Sequence, residues 1–165
     1  MKKSLFILSL SALLILSWCG KSGDIVEYND SFVALVKECT DSTQELFRVY
    51  QASDSTLESI SESLDSSIKI CENAKEKSSK LGDFEKDSSL KDGVVDLLSS
   101  EVEYLKKFRN TSNYWNIDNI TEEDKLAYDW IVNDLYQSEE VLNSKFTSLQ
   151  TIQEAFAAKH GLKLE

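Results

Sequence analysis

The sequence predicts an all-α protein, an antiparallel four-helix up-down bundle with a longer last helix, preceded by a signal peptide. Four long stretches repeat apolar residues at alternating steps of three and four, which is the period of one helix face. The breaks between them are short and rich in residues that cap helix N-termini. The chain has no proline and only five glycines among 165 residues, whereas a β-rich fold of this size needs many more turn residues.

The first two helices are predicted over residues 24–52 and 55–81. Residues 53–56 separate them and supply N-cap side chains. Gly82 follows the second helix and is expected to take the left-handed conformation that often ends a helix. The apolar seam of the first helix is Tyr28, Phe32, Leu35, Cys39, Leu46 and Val49, with Ser42 in the gap, and that of the second is Leu57, Ile60, Leu64, Ile68, Cys71 and Ala74.

The third and fourth helices are predicted over residues 89–114 and 122–160. Asp87 or Ser88 is expected to cap the third helix, and residues 121–124 resemble a capping box for the fourth. Gly93 lies inside the third helix, where either a close helix contact or chance accounts for it. The last helix exceeds the others by roughly 15 Å, so it either bends or extends two turns beyond them. The seams are Leu90, Val94, Leu97, Leu98, Val102, Leu105 and Phe108, and then Tyr128, Ile131, Leu135, Ser138, Leu142, either Lys145 or Phe146, Leu149, Ile152 and Phe156.

The N-terminus has the pattern of a secretory signal. Lys2 and Lys3 precede an apolar run over residues 5–16, which is shorter than the roughly 20 residues that span a bilayer. The run ends in Leu16-Ser17-Trp18-Cys19, which resembles the lipobox of bacterial lipoproteins. The resemblance implies that residues 1–18 are removed and that Cys19 carries a lipid. Trp18 stands where the lipobox has a small residue, so an uncleaved or differently processed signal with a buried thiol is the alternative.

The remainder divides into the lipidated Cys19 with a short tether, residues 19–23, and a helical domain, residues 24–165. Removal of residues 1–18 takes away two lysines and lowers the net charge from −11 to −13. A surface this acidic repels phosphate, so nucleic acid is not an expected partner. It also repels anionic lipid headgroups. We therefore expect contact with the membrane through the lipid on Cys19.

Cys39 and Cys71 are candidates for a disulfide bond. A turn centred on residue 54 or 55 places them at nearly equal height on the seams of the first two helices. Outside the cytoplasm a disulfide is chemically allowed, but it needs Cα atoms within about 7 Å. The two cysteines are therefore either bridged or two small buried core residues.

The sequence predicts no catalytic residue, no metal site and no cofactor. His160 is the only histidine and has no glutamate three residues before it, whereas a di-iron bundle needs a Glu-x-x-His pair on each of two helices. A lone histidine at a helix end that is expected to fray gives no support for a Ser-His or Cys-His nucleophile. Carboxylate pairs such as residues 122–123 and 139–140 are adjacent on a helix and point apart.

Aromatic residues gather around the third turn and form a candidate binding patch. They either pack against and cap the end of the bundle or present an interface, since Trp and Tyr are the usual anchors of protein interfaces. The residues are Tyr114, Trp115, Tyr128, Trp130 and Tyr136.

Four segments, residues 26–30, 81–92, 120–124 and 156–165, are similar to a family of uncharacterised bacterial surface lipoproteins with an all-helical body. The resemblance implies a lipid-anchored place in the bacterial cell envelope, on its periplasmic or cell-surface face, and implies no activity. The expected function is that of a non-enzymatic interaction protein. The alternatives are an acidic inhibitor or immunity-type protein that binds a cationic secreted enzyme, and a small-ligand binder with a pocket between helices.

Overall fold

Four helices make up nearly all of the computed structural model, which describes residues 23–112, 114 and 121–161. They are α1 (Gly23–Gln51), α2 (Leu57–Lys80), α3 (Ser89–Ser112) and α4 (Glu122–Lys159). Across these described ranges there is no β-strand, and one isolated bridge joins Phe84 to Asp87. The all-α prediction is confirmed. Cys19, residues 1–18 and most of the tether lie outside the described residues.

Consecutive helices run antiparallel, as the ion pairs between them show. Lys106 of α3 pairs with Glu72 of α2 at 3.0 Å, and Arg109, further along α3, pairs with the earlier Asp65. α1 packs on α2, α2 on α3 and α3 on α4, and α1 also approaches α3 across the diagonal. The predicted up-down bundle is therefore present, with α1 leaning toward α3.

Side chains at one end of the bundle join α1 to α4. Gln153 Nε2 donates a hydrogen bond to Asn29 Oδ1 at 3.4 Å, and both residues are buried. The rings of Tyr28 and Phe156 lie 5.9 Å apart between centroids. These contacts close the bundle at the end where α1 begins and α4 finishes.

The predicted seams supply the core. Phe32 and Leu46 of α1, and Leu105 and Phe108 of α3, are completely buried, which for side chains of this size stabilises the fold by roughly 2 kcal/mol each. The prediction for Leu57 is wrong, because this side chain is 49% exposed. Leu57 is the first residue of α2 and directly follows the connection from α1.

Local side-chain chemistry starts the helices where it is expected. Thr56 Oγ1 accepts from the Ser59 N–H at 3.1 Å, and Ser59 Oγ accepts from the Thr56 N–H at 3.0 Å. Thr121 and Asp124 form the same reciprocal capping box at the start of α4. Each box satisfies two backbone N–H groups that a helix start otherwise leaves unpaired.

The connection between α2 and α3 differs from its prediction. α2 ends at Lys80, and its C-cap residue Leu81 is extended, with φ −67° and ψ 135°. Gly82 does not have the positive φ of a left-handed residue. Glu85 and Lys86 take that conformation instead, with φ of 49° and 70°. Phe84 and Asp87 exchange backbone hydrogen bonds of 3.2 and 2.8 Å around them. Two successive positive φ angles are typical of a tight type I′ turn, which glycine and asparagine fit best.

We expect Lys86→Gly to raise the free energy of unfolding by about 0.5–1 kcal/mol, because glycine accepts a positive φ without strain. Lys69→Gly is the matched control. Lys69 is exposed within α2, so the same replacement there costs about 1 kcal/mol of helix propensity. Urea denaturation measures both. A loss of stability in Lys86→Gly contradicts the left-handed assignment.

Gly93 marks a close contact between α3 and α4, the first of the two explanations that the sequence left open. A Cβ atom at this position would lie 2.8 Å from Ile152 Cδ1 and 3.3 Å from Leu149 Cδ1. The absence of a side chain lets the two helices approach here. The conflict involves only the far ends of two flexible side chains.

We expect Gly93→Ala to change stability little, because a gain of up to about 1 kcal/mol in helix propensity is offset by displacement of the Ile152 methyl group. In an Ile152→Val background, which lacks that Cδ1 atom, the same substitution is expected to stabilise by about 0.5–1 kcal/mol. A double-mutant cycle by thermal denaturation measures the coupling. Equal effects in both backgrounds contradict the contact.

The length of α4 is explained by its register against α3. Lys107 lies opposite Asp134, so in an antiparallel pair the last residue of α3, Ser112, is level with about residue 129. The first two turns of α4 therefore extend beyond the end of α3, as one of the two sequence alternatives states. Even so, no described helix is both long enough and apolar enough to cross a bilayer.

Candidate functional site

Exposed apolar side chains form a row on the outer face of α4. Leu126, Trp130 and Val141 are 73%, 70% and 52% exposed. At about 100° per residue they lie within about 60° of one another around the helix axis. We call these three residues the α4 stripe. Apolar side chains that collect on one exposed face, rather than scatter, indicate an interaction surface.

A groove of about 390 Å³ runs between α3 and α4 beside the α4 stripe. It exists because the facing positions are small, with Ser99 and Ser100 on α3 and Ser138 on α4, so the two helices do not fill the space between them. The groove is open to solvent along its length. Its lining residues are Ser99, Ser100, Glu103, Lys107, Gln137, Ser138 and Val141.

An ion pair between the two helices bounds each end of the groove. Asp96 pairs with Lys145 at 2.7 Å, and Lys107 pairs with Asp134 at 2.8 Å. Each helix advances eleven residues from one pair to the other, which corresponds to about 16 Å at 1.5 Å per residue. The two pairs hold the groove walls in register over three turns.

The charge around the groove is negative. Glu103, Asp129 and Glu140 are exposed, and none of them has an ion-pair partner within the described part of the chain. Lys107 is engaged with Asp134, which leaves Lys125 as the nearby lysine without such a pair. The face therefore presents several free carboxylates next to exposed apolar side chains.

The structure divides the predicted aromatic patch. The rings of Tyr114 and Tyr128 pack at a tilt of 56°, with centroids 5.4 Å apart, where α3 finishes and α4 begins. Trp130 and Tyr136 point outward, at 70% and 43% exposure. Trp115 lies outside the described residues. Tyr114 and Tyr128 thus pack together, whereas for Trp130 and Tyr136 the interface stays a prediction. The patch divides because residues 128 and 130 lie about 200° apart around α4.

Cys39 and Cys71 are joined by a disulfide between α1 and α2, with an S–S distance of 2.03 Å and Cα atoms 4.6 Å apart. Both residues are completely buried. The same layer holds a polar contact between these helices, since Ser67 Oγ donates to the Ser42 carbonyl at 2.9 Å. α1 and α2 therefore approach each other closely in this layer, as a disulfide requires, because the facing residues are small.

Glu101 is a buried carboxyl group on the α3 seam, only 2% exposed. Thr43 Oγ1 of α1 donates to Glu101 Oε1 at 2.7 Å, and Glu101 Oε2 has no hydrogen-bond partner among the described atoms. Burial raises the pKa of this carboxyl from 4.5 to about 7, and the hydrogen bond from Thr43 opposes only part of the rise. Glu101 is not among the residues predicted from the sequence, although its spacing from Leu98 and Leu105 places it on the apolar seam.

A cluster around His160, which the sequence did not predict, closes the end of the bundle where α1 begins and α4 finishes. His160 is not at a frayed end: its ring packs against Phe84 and Phe156, at centroid distances of 5.1 and 4.6 Å. Its Nδ1 atom lies 3.3 Å from Glu85, and its Nε2 atom lies 3.5 Å from Asp87. The histidine therefore faces carboxylates and aromatic rings and ties the last turn of α4 to the α2–α3 connection.

Asp87 organises this cluster. Lys159 Nζ donates to its Oδ2 atom at 2.7 Å, and the Ser89 N–H donates to its Oδ1 atom at 3.0 Å. The hydrogen bond from Lys159, followed by that from Ser89, holds the pKa of the Asp87 carboxyl well below its usual range. One side chain thus caps α3, as expected, and also binds the end of α4.

Among the described residues, no group of three or more His, Cys, Asp or Glu side chains is arranged to hold a metal ion. Comparison with protein-family models, with curated proteins and with solved structures found no match to this chain. The resemblance to bacterial surface lipoproteins thus stays a prediction from the residues that carry it.

Proposed function

We propose that this chain is a non-enzymatic interaction protein, held by a lipid on Cys19 at the outer side of a bacterial membrane. The observation that carries the interaction role is the α4 stripe beside the α3–α4 groove. A tryptophan that is 70% exposed is the kind of side chain that contributes most to protein interfaces when a partner covers it. Phe32, Tyr104, Phe108 and Phe156, by contrast, are almost completely buried.

Two further observations support the proposal. A buried disulfide is typical of proteins that fold outside the cytoplasm, which agrees with the signal-like N-terminus. His160 lies among carboxylates and rings, and no hydroxyl or thiol is placed against it in the contacts of the described residues. These contacts support a structural role for His160 at the end of the bundle.

The interaction role is tested by photo-crosslinking in the native host. A benzoylphenylalanine in place of Trp130 is expected to give a discrete crosslinked protein band. The same group in place of Lys69, which is exposed on α2, is the control and is expected to give none. Absence of an adduct at residue 130, or the same adducts at both positions, contradicts the proposed role.

The lipid is tested by feeding the cells an alkyne fatty acid. We expect the wild-type chain to incorporate the label and Cys19→Ser to lose it. The pair Cys39→Ala and Cys71→Ala is the control and is expected to keep the label, because those two cysteines are inside the bundle. Incorporation that survives Cys19→Ser contradicts an anchor at this residue.

An acidic inhibitor of a cationic secreted enzyme is the second candidate, favoured by the free carboxylates around the groove. Such a partner should be lost steeply as salt screens the charges. A pull-down at low and high salt, with the activity of the captured protein measured, separates this candidate from a mainly apolar interface. A small-ligand site has less support, because the groove is open rather than enclosed.

A further inference from the structure

The α3–α4 groove has the dimensions of a docking site for a helix. Its two bounding ion pairs, Asp96–Lys145 and Lys107–Asp134, stand about three helical turns apart. Between them the walls are two antiparallel helices that lie side by side. The side chains of a third helix fit the furrow between two such helices by the ridge-into-groove packing that operates inside bundles.

The exposed apolar side chains of the α4 stripe lie along the path that a helix docked in the groove would follow. Val141 lines the groove. Trp130 lies one helical turn beyond Asp134, at the end of the groove that the Lys107–Asp134 pair bounds. Leu126 follows one turn further on the same side. A partner with apolar residues at helical spacing covers all three members of the α4 stripe at once, which removes from water the side chains that the isolated bundle leaves exposed.

The charges select the partner. Glu103 stands on the α3 wall of the groove, and Glu140 and Asp129 flank the stripe on α4; all three are exposed and lack ion-pair partners among the described residues. Lysine or arginine residues beside the partner's apolar face would pair with them. A second copy of this chain is disfavoured, because a two-fold contact would bring the same carboxylates together. An anionic lipid surface is disfavoured for the same reason.

We infer that the α3–α4 groove and the α4 stripe together bind a cationic amphipathic helix of a partner protein. This inference rests on the proposed function and adds the surface and the partner's chemistry. Trp130 and Val141 anchor the apolar face of the incoming helix, and Glu103 and Glu140 set its charge and orientation.

The test uses three dye-labelled peptides of about 18 residues, long enough to cover the groove and the stripe. One is an amphipathic Leu/Lys helix, the second has Glu in place of Lys, and the third is a scrambled Leu/Lys sequence without helical period. Each is titrated by fluorescence polarisation with the full chain in neutral-lipid nanodiscs, and binding to empty nanodiscs is subtracted. We expect the amphipathic Leu/Lys peptide to bind and the other two to bind about tenfold more weakly or less.

Substitutions in the protein separate the apolar contribution to peptide binding from the charge contribution. Val141→Asp is expected to weaken the Leu/Lys peptide about tenfold, and the pair Glu103→Lys and Glu140→Lys is expected to transfer preference to the Leu/Glu peptide. Lys69→Ser on α2 is the control and should bind as wild type, and circular dichroism verifies the helix content of every variant. Equal binding of the amphipathic and scrambled peptides, or no effect of Val141→Asp, overturns the inference.

The peptide titration and the crosslinking experiment together distinguish failure of this inference from failure of the proposed function. If no peptide binds while the crosslink from residue 130 still forms in cells, the interaction role stands and the cationic-helix partner is wrong. If the crosslink is absent as well, the interaction role itself is wrong.

Discussion

Reduction of the Cys39–Cys71 disulfide is expected to lower the free energy of unfolding by about 3–4 kcal/mol. The bond closes a loop with a sequence separation of 32 residues, and a loop of this length restricts the unfolded chain by that amount in the chain-entropy treatment. For a single domain whose total stability is roughly 5–15 kcal/mol, this is a large share. The bundle should still form, because its core extends far beyond the cysteine layer.

The measurement is urea denaturation of the full chain with and without dithiothreitol. The pair Cys39→Ala and Cys71→Ala is the matched control: it should resemble the reduced wild type and show no response to dithiothreitol. An equal response in both proteins would attribute the effect to something other than this bond. A wild-type midpoint that ignores the reductant would contradict the account of the disulfide.

Replacement of Glu101 by glutamine is expected to stabilise the protein above neutral pH and to remove part of its pH dependence. The folded state raises the pKa of Glu101 from 4.5 to about 7, so it holds this proton more tightly than the unfolded state does. Stability from this group is therefore fully present at low pH and is lost as pH rises from about 4.5 through about 7. The loss amounts to about 3 kcal/mol, at 1.36 kcal/mol per pKa unit.

Denaturation curves at pH 5 and pH 8 test this expectation. The difference between Glu101→Gln and wild type should grow in favour of the variant as pH rises, because glutamine stays neutral. Glu103→Gln, which changes an exposed carboxyl two residues away, is the control and should keep the wild-type profile. If the stability of wild type and of Glu101→Gln changed in parallel with pH, the result would contradict a buried Glu101 carboxyl with a raised pKa.

Thr43 provides an independent check of the same group. Its hydroxyl donates to Glu101 Oε1 and lowers the pKa of that carboxyl. Thr43→Val should therefore raise the pKa further and shift the loss of stability to higher pH. A shift to lower pH would contradict the geometry.

Much of the fold follows from local patterns in the sequence. The period of residues such as Phe32, Leu64 and Phe108 predicts which helix face is buried, because the geometry of one helix determines it. The capping boxes at Thr56 and Thr121 can also be predicted from the sequence, because each depends on two residues that are three positions apart in the chain. The height of Cys39 relative to Cys71 follows from the position of the turn.

Features that depend on several elements at once were not accessible in this way. The left-handed turn at Glu85 and Lys86 follows Phe84, whose ring packs against Tyr28 of α1 and Phe156 of α4, and no local pattern records these contacts. The burial of His160 depends on the same packing. Glu101 was detectable from its spacing, but the assumption that carboxylates face solvent conceals it.

The candidate site was predicted in part. Trp130 and Tyr136 are exposed, as a binding patch requires, whereas Tyr128 packs with Tyr114. The groove could not be foreseen, because it depends on which serines of α3 and α4 face each other. Register between helices is a property of the packed bundle, and the sequence period alone leaves it open.

The central claim is that a lipid on one cysteine anchors a disulfide-braced bundle outside the cytoplasm, and intact mass spectrometry of the chain from the membrane fraction tests it most directly. We predict a chain that begins at Cys19, carries acyl groups there, and is lighter by two hydrogens for the bond between Cys39 and Cys71. A chain that begins at Met1, or one that has lost Cys19, with all remaining thiols free, would contradict the account.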